Sequence, residues 1–224
     1  MIDILKTVTP SAEQWEIVIK GARNSFNSWD KSDSLLAFDE GIMDEAFIFG
    51  KNDMELLKRL AKGRGSDSKF RRMLPVWMTI NAPLYWWKEF DTYKVGTTSN
   101  SCSTMHKIAA KKFEIDDFST EHLNSNDMRV SCGEIMPATG MMYLVRLLNE
   151  CRERYLKTES KDDWWQMIQL LPSSYNQRRT IMLNYEVLAK IFAERHNHKL
   201  DEWVALCDFV QRTIPYAKEL IVGE

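Results

Sequence analysis

The segment 76–80 (VWMTI) limits the possible folds more than any other part of this sequence. Its apolar side chains at 76, 78 and 80 alternate with Trp77 and Thr79, which predicts a β-strand with both faces partly covered. The next residues, Asn81-Ala82-Pro83, predict the start of a helix, and apolar residues recur over 84–90. A covered strand followed directly by a helix favours a chain of mixed α and β structure.

Helical periodicity is visible in several other segments. Thr9-Pro10-Ser11 is typical of a helix start and predicts a buried helix face formed by Trp15, Val18, Ile19, Ala22 and Phe26. Further helices are predicted around 56–61, closed by Gly63-Arg64-Gly65, and over 144–155, 164–171, 177–194 and 201–213. Residues 2–5 are β-prone, and 115–135 are predicted to hold a short helix and loops. We therefore expect one α+β domain over residues 1–224.

Composition and charge exclude several classes of protein. Hydrophobic residues make up 44% and charged residues 28% of the 224 residues, which is typical of a folded globular chain. The formal net charge of −2 gives no basic field, so we expect no nucleic-acid polymer as a partner. No apolar run approaches about 20 residues, so we expect no membrane partner. The first residues lack the apolar core of a signal peptide, which indicates a cytoplasmic protein.

The cysteines and tryptophans are read mainly as structural residues. None of Cys102, Cys132, Cys151 and Cys207 forms a C-x-x-C pair, so we expect free thiols in a reducing compartment. Cys102 is a possible nucleophile, but the sequence places no base beside it, and a buried or spectator thiol is favoured. The core or a subunit interface is the expected place of Trp77, Trp86, Trp87, Trp164 and Trp165.

Hydroxyl and amide side chains are concentrated in residues 92–106 (TYKVGTTSNSCSTMH). Such groups provide fixed hydrogen-bond donors for an anion or a ribose, and Lys94 adds a positive charge for a phosphate. The alternative is a polar loop that caps two elements, because Ser, Thr and Asn usually mark turns. Taken alone, the segment favours the loop.

Two further polar clusters carry charged or metal-ligating side chains. Paired arginines in Gln177-Arg178-Arg179, near a predicted helix start, either grip a phosphate or form a solvated helix face. Arg195-His196-Asn197-His198, with Asp201 and Glu202 beyond it, offers metal ligands, but its spacing matches no zinc pattern. We therefore predict no metal site.

Several short motifs follow one another along nearly the whole chain. They are residues 21–26 (GARNSF), 66–73 (SDSKFRRM, with Ser68 and Phe70), 82–85 (APLY), Leu171-Pro172-x-x-Tyr175, Asn184, Leu188, Phe192, Arg195 and Pro215. In order and spacing they resemble the flavin-dependent thymidylate synthase family (ThyX), with its A-R-x-S-F, H-E-T-P-F-E-H, A-P-I-F, L-P-x-x-x-Y, N-x-R and L-x-x-F-L-x-x-R elements and its late proline. Residues 92–106 stand where that family has its signature R-H-R-x-x-S-x-N-E-x-S-x-R-Y.

The chain departs from this family mainly where the family carries arginines. Without a gap, Thr92, Tyr93 and Lys94 pair with the R-H-R of the signature. A shift of one residue instead aligns Asn100 and Ser103 with the N and the S of the signature. In both alignments the two leading arginines of the signature are absent. Replacements elsewhere are Met167-Ile168 for A-R, Glu186 for the N-x-R arginine, Leu200-Asp201 for A-Q and Glu89 for a nucleotide-contacting glutamine. Each lost arginine–phosphate contact is worth roughly 1.5–3 kcal/mol. We therefore expect either a different ligand or compensation by Arg71, Arg72, Lys88, Arg178 and Arg179.

The resemblance implies a fold, a reaction and a set of site residues. The fold is α+β, with a central, mostly antiparallel sheet and a helical subdomain, assembled as a homotetramer. The reaction converts dUMP, or a related pyrimidine deoxynucleotide, to its 5-methyl form (dTMP), with FAD as cofactor and methylenetetrahydrofolate and NADPH as co-substrates. Arg195 matches the arginine that polarises the pyrimidine and is expected to be catalytic.

The other implied site residues bind either the cofactor or the substrate. Cofactor binding is expected of Ser68, Arg72, Lys94, Asn100, Asn184 and Lys190, and substrate binding of Glu89, Cys102, Ser103 and Arg178. Two alternatives keep the scaffold: altered nucleotide chemistry or no flavin, and a non-catalytic oligomeric nucleotide-binding protein.

Overall fold

The computed structural model describes residues 1–39, 44–63, 66–125 and 135–223. The strands are β1 Asp3–Val8, β2 Leu35–Asp39, β3 Asp44–Ile48, β4 Pro75–Pro83, β5 Thr98–Ser101 and β6 Asn176–Asn184. The α-helices are α1 Ala12–Asn24, α2 Lys51–Lys62, α3 Leu84–Phe90, α4 Pro137–Thr158, α5 Lys161–Leu170, α6 Tyr185–Arg195 and α7 Asp201–Thr213. Short 3-10 helices cover Trp29–Lys31, Asp67–Met73 and Ile115–Asp117, and a π-helix covers Lys218–Val222. The predicted α+β class is confirmed.

Four of the strands form one sheet in the order β1-β4-β6-β5. Strands β4 and β6 are antiparallel: the hydroxyl oxygens of Thr79 and Thr180 lie 3.0 Å apart, and the N–H of Leu84, just after the end of β4, donates to the carbonyl of Tyr175, just before the start of β6. Strands β2 and β3 form a separate antiparallel hairpin. The antiparallel sheet that the resemblance implies is therefore confirmed.

The contacts within the chain define two compact units. The first unit comprises residues 1–3, 80–92 and 100–179, and the second unit comprises residues 4–79, 93–99 and 180–224. All four strands of the sheet contribute residues to both units, so neither unit is a continuous stretch of sequence. The single domain 1–224 stays a prediction.

The first unit has its own apolar core. Its buried cluster comprises Ile108, Phe113, Phe118, Leu148 and Met167, and it draws on the inward faces of α4 and α5. In α3, Trp86 and Trp87 are fully buried, and Trp87 Nε1 donates to the carbonyl of Gln177 at 2.8 Å. Trp165, by contrast, is 38% exposed, as is Trp77 of the second unit, so the tryptophans are divided between core and surface.

The second unit is built around helices α1, α2, α6 and α7. Helix α1 starts as predicted, with Ser11 and Gln14 forming a reciprocal capping box that satisfies two backbone N–H groups. Trp15 is buried and meets the rings of Tyr185 and Tyr216 edge-on, each at a centroid distance of 5.5 Å. This contact anchors α1 against the first residue of α6.

A buried ion pair ties α1 to α2 within the second unit. Arg23 Nε lies 2.5 Å from Asp53 Oδ1, and these side chains are 5% and 0% exposed. The other carboxylate oxygen accepts hydrogen bonds from Ser32 Oγ and from the N–H groups of Asp33 and Ser34. Burial opposes the charge, but these hydrogen bonds hold the pKa of Asp53 below its ordinary value. The arginine of the A-R-x-S-F-like element is therefore held in a structural network.

Several sequence predictions are wrong. Residues 177–194 do not form one helix: the first part is strand β6, with Gln177 and Ile181 buried and Arg178 and Thr180 exposed, and the helix begins at Tyr185. Phe26 lies beyond the end of α1 and is 51% exposed, so it is not part of the buried face. The polar segment 92–106 contains the short exposed strand β5, which its composition concealed.

Some predictions fall on residues outside the described ranges. These are Arg64-Gly65, Cys132 and the part of the region 115–135 that covers 126–134. Across the described ranges, every helix is too short or too polar to cross a membrane.

Candidate functional site

Helix α6 carries the predicted site residues Lys190 and Arg195, and it starts where β6 ends. Asn184 closes the strand, and its side-chain Oδ1 accepts a hydrogen bond from the Val187 N–H at 3.1 Å, which caps the helix. Gly96 packs against this cap with a φ of 81°, and a Cβ there would lie 3.1 Å from Asn184 Nδ2 and 3.2 Å from Val187 Cγ2. Glycine is required at this turn because of both its backbone angle and the close approach.

The last turn of α6 presents Arg195, the predicted catalytic residue. Its Nε donates to the hydroxyl of Tyr93 at 3.0 Å, and its Nη1 lies 2.7 Å from Nε2 of His198. Because a guanidinium only donates, Nε2 of His198 must be the acceptor. The Arg195 Cζ also stands 4.9 Å from the ring centroid of the fully buried Trp203, within the range of a cation–π contact. The guanidinium is thus held on several sides.

Tyr93 connects Arg195 to two other charged residues of α6. Its ring is 5% exposed, its hydroxyl donates to Glu194 Oε2 at 2.8 Å, and Lys190 Nζ lies 5.7 Å from its ring centroid. Burial raises the pKa of Tyr93 above its ordinary value, although the hydrogen bond from Arg195 acts in the opposite direction. The phenol is therefore neutral at physiological pH and retains the proton that it donates to Glu194.

The first turn of α6 presents a second charged group. Ser68 Oγ donates to Glu186 Oε1 at 3.2 Å, and Arg71 Nη1 lies 3.7 Å from Glu186 Oε2. Burial lowers the pKa of Arg71, and the Glu186 carboxylate opposes that shift. In the H-E-T-P-F-E-H motif, glutamate follows the phenylalanine that matches Phe70, whereas this chain has Arg71 there. The N-x-R motif ends in arginine, whereas this chain has Glu186 at that position. Both charges are reversed relative to those motifs, and the reversed pair is in contact.

The second unit therefore brings together some predicted site residues. Arg195 and Lys190 both contact Tyr93. Ser68 contacts Glu186, which lies in the first turn of α6, two positions after the predicted site residue Asn184. Arg72 and Lys94 are exposed residues of the same unit. Tyr93 is not among the predicted site residues. Its pairing with the histidine of the ungapped family signature is the sequence signal that could have identified it.

The predicted substrate-binding residues, with Asn100, belong to the first unit. Cys102 N–H donates to the carbonyl of Arg178 at 2.9 Å, which places Cys102 beside Arg178, whose side chain is exposed. Asn100 is an exposed residue of β5, Ser103 Oγ accepts from the His106 N–H at 2.9 Å, and Glu89 is half-buried in α3. Cys102, Ser103 and Arg178 thus lie around the β5–β6 pairing.

The two adjacent arginines of β6 differ in their surroundings. Arg179 is committed to the first unit: Nε donates to Gln177 Oε1 at 2.9 Å, Nη1 contacts Asp91 at 2.8 Å, and Cζ lies 4.5 Å from the Trp87 ring. Because side chains alternate along a strand, Arg178 points to the opposite face. The idea of paired arginines at a helix start is wrong, because the pair lies within a strand and only one member is exposed.

The histidine cluster and the cysteines have ordinary surroundings. His196 stacks on Phe192 with a centroid distance of 5.4 Å, and His198 contacts Arg195. Within the described residues, no group of three or more His, Cys, Asp or Glu side chains is placed to hold a metal ion. Cys102 is exposed, whereas burial raises the pKa of the Cys207 thiol to about 12.

Comparison with known proteins defines the class of fold. No protein-family model and no curated protein matches the sequence. Solved structures match 98–100% of the chain with TM-scores of 0.61–0.64, and they give it the fold of the flavin-dependent thymidylate synthases.

Three of these structures illustrate the likeness. Two are thymidylate synthase ThyX from Helicobacter pylori with FAD and dUMP, at 18% and 17% identity, each with a TM-score of 0.64 over 98% of this chain and 96% and 97% of theirs. The third is the UMP/dUMP methylase PolB from Streptomyces cacaoi bound with 5-Br dUMP, at 14% identity and a TM-score of 0.61, over 100% of this chain and 93% of that chain. At these identities the likeness concerns the fold.

Proposed function

We propose that this chain is a cytoplasmic, flavin-dependent methyltransferase that converts dUMP to dTMP. Methylenetetrahydrofolate would supply the carbon added at C5, and NADPH the reducing equivalents. The observation that carries the proposal is the arrangement of Arg195, fixed by Tyr93, His198 and Trp203, in a fold whose solved examples hold dUMP. A fixed cation beside the pyrimidine stabilises negative charge on the ring as the base is activated.

The donor groups around α6 fit FAD, whose flavin carbonyls and pyrophosphate are acceptors. Arg71 Nε and Thr97 Oγ1 are buried polar atoms without a hydrogen-bond partner among the described residues, as expected of groups that await a ligand. We propose that FAD is held by Ser68, Arg72, Lys94, Asn184 and Lys190 of the second unit, whereas the role of Asn100, which belongs to the first unit, stays a prediction. These residues would orient the cofactor and neutralise its phosphates, and the bound, reduced flavin would supply the hydride.

Exposed residues beside β5, together with the half-buried Glu89 of α3, are proposed to bind the nucleotide. Arg178 offers a guanidinium for the phosphate, since its neighbour Arg179 is already paired with Asp91. Cys102 and Ser103 would line the nucleotide site, and Glu89 would contact base or sugar, because a carboxylate repels phosphate. Cys102 is given no covalent role, since the family reaction does not use a protein cysteine as the attacking group.

We further propose a homotetramer. Met142, Tyr143 and Leu147 of α4 are 65%, 56% and 44% exposed, and exposed apolar side chains of this size suit a subunit interface. Sedimentation equilibrium tests this directly, because a tetramer has four times the 26.3 kDa mass of the chain. A species of monomer mass at working concentration contradicts it.

A second candidate is methylation of a different pyrimidine nucleotide, or chemistry without flavin. It is favoured by Glu186, a carboxylate where the ThyX motif has arginine, because a carboxylate near a phosphate weakens its binding. The match to a UMP/dUMP methylase makes UMP the ligand to compare.

The two candidates separate in one set of measurements. We expect the purified protein to show a flavin absorption spectrum and to be stabilised against thermal unfolding by FAD and by dUMP. Stabilisation by UMP or dUMP without bound flavin favours the second candidate. No shift with FAD, dUMP or UMP contradicts both.

A further inference from the structure

The hydroxyl of Tyr93 lies between two charged side chains of the last turn of α6. Arg195 Nε is 3.0 Å from it and Glu194 Oε2 is 2.8 Å from it. We infer that Tyr93 is a positioning residue, which fixes the guanidinium of Arg195 in the orientation that meets a pyrimidine nucleotide. This inference rests on the function proposed above for Arg195.

The directions of the two hydrogen bonds follow from the groups that form them. An arginine N–H can only donate and a carboxylate can only accept, so the Tyr93 hydroxyl accepts from Arg195 and donates to Glu194. Glu194 therefore holds the phenolic proton away from Arg195. A lone pair of the hydroxyl oxygen is left facing the Nε–H group.

Three contacts act on different parts of the guanidinium. Tyr93 holds Nε, His198 holds Nη1 at 2.7 Å, and the Trp203 ring centroid lies 4.9 Å from Cζ. Contacts at two nitrogens restrict the orientation of the guanidinium, and the ring adds a cation–π contact. Trp203 is fully buried and its ring centroid is 5.8 Å from that of Tyr93, so both supports belong to the packed interior. Removing the hydroxyl removes the contact at Nε.

A matched pair of substitutions isolates this hydroxyl. Tyr93→Phe removes it and keeps the buried ring. Tyr185→Phe is the control, because Tyr185 is also buried and its hydroxyl donates to the carbonyl of Pro215 at 2.8 Å, so the control loses a comparable hydrogen bond elsewhere in the same unit. Glu194→Ala, at an exposed residue, removes only the group that orients the phenolic proton.

The first readout is the Arg195 Nε–H group itself, observed by NMR and assigned by its absence in Arg195→Lys. We expect its exchange with solvent to accelerate in Tyr93→Phe and to stay unchanged in Tyr185→Phe. The second readout is dUMP affinity and turnover in the FAD-loaded protein. A hydrogen bond to a charged group predicts a loss of about 10- to 100-fold in Tyr93→Phe, a smaller loss in Glu194→Ala and little change in Tyr185→Phe.

Each contrary outcome has a distinct meaning. Equal dUMP affinity in Tyr93→Phe and Tyr185→Phe, with wild-type binding intact, overturns the positioning role and leaves the proposed function standing. If the wild type does not bind dUMP, the proposed function and the nucleotide-directed part of the inference are both overturned. Unchanged Nε–H exchange in Tyr93→Phe would then also overturn the claim that Tyr93 fixes the guanidinium of Arg195. If Tyr93→Phe does not fold, unchanged exchange and affinity in Glu194→Ala overturn the role.

Discussion

The two ends of helix α6 carry opposite charges and have departed differently from the ThyX motifs. Glu186 stands in the first turn and Arg195 in the last turn, about 14 Å apart along the helix axis. Both charges suit the helix dipole, which favours an anion at the N-terminus and a cation at the C-terminus. Arg195 keeps the residue type of the motif it resembles, whereas Glu186 reverses it together with its partner Arg71.

We expect this difference to affect the two ends of the proposed site differently. The C-terminal end of α6 keeps the cation proposed to act on the base, with a neutral phenol and an indole arranged around it. The N-terminal end has a carboxylate, Glu186, in an ion pair with Arg71, at the position where the N-x-R motif has arginine. The chemistry at the base is therefore expected to be more family-like than the grip on phosphates.

Arg195→Ala gives the largest expected effect. Removing a preorganised cation costs about 100-fold or more in turnover, and we expect the variant to keep the fold because Arg195 is only half-buried. Turnover of dUMP and the thermal unfolding temperature are measured together, with Lys199→Ala as an exposed control close in sequence. Unchanged turnover in Arg195→Ala would contradict the catalytic role.

Reversing the Arg71–Glu186 pair tests the other end of α6. Glu186→Arg brings two guanidinium groups together, and we expect it to lower the free energy of unfolding by about 1–3 kcal/mol, since Glu186 is partly exposed and Arg71 is not. Adding Arg71→Glu restores an opposite-charge pair and should recover most of that loss. Denaturant unfolding of the wild type, Glu186→Arg, Arg71→Glu and the double variant gives the coupling energy between the two side chains. A coupling near zero would show that the pair is not energetically linked.

Much of this helix is predictable from sequence, but its contacts are not. Leu188, Phe192 and Arg195 follow helical spacing, so the helix and its family motif are visible in one dimension. The predicted start of this helix is wrong, because Asn184 is both the last residue of β6 and the N-cap of α6. The apolar residues of the strand and of the helix therefore follow one another without a break in the sequence. The contact of Tyr93 with Arg195 joins residues 102 positions apart, and a single sequence carries no signal for such pairing.

Asn184→Ala tests whether the start of α6 depends on its cap. Loss of the side-chain acceptor for Val187 N–H should lower the free energy of unfolding by about 1 kcal/mol. Asn184→Asp keeps an acceptor and is the control. If the alanine variant also loses FAD affinity beyond the aspartate variant, the side-chain amide contributes to the cofactor site; equal stability of the two would contradict the capping role.

The dependence of stability on alkaline pH tests the burial of Tyr93. Burial raises the pKa of Tyr93, so the phenol stays neutral in the folded chain while the unfolded chain ionises near about pH 10. The resulting stabilisation is present below that pH and is lost as pH rises through the folded pKa. Tyr93→Phe should therefore make the fall in unfolding free energy shallower, by up to about 1.4 kcal/mol per pH unit. An identical dependence of the unfolding free energy on pH in Tyr93→Phe and the wild type would contradict the burial of the Tyr93 phenol. Glu186→Gln, at the other end of α6, is the control and should keep the wild-type dependence at alkaline pH.

Formation of dTMP tests the central claim most directly. The purified protein is incubated with dUMP, methylenetetrahydrofolate, FAD and NADPH, and the nucleotides are separated by chromatography, with Arg195→Ala in parallel. We expect flavin-dependent dTMP in the wild type and loss of product in the variant. A folded wild-type protein that binds no flavin and forms no dTMP, or a variant that forms it equally well, would contradict the account.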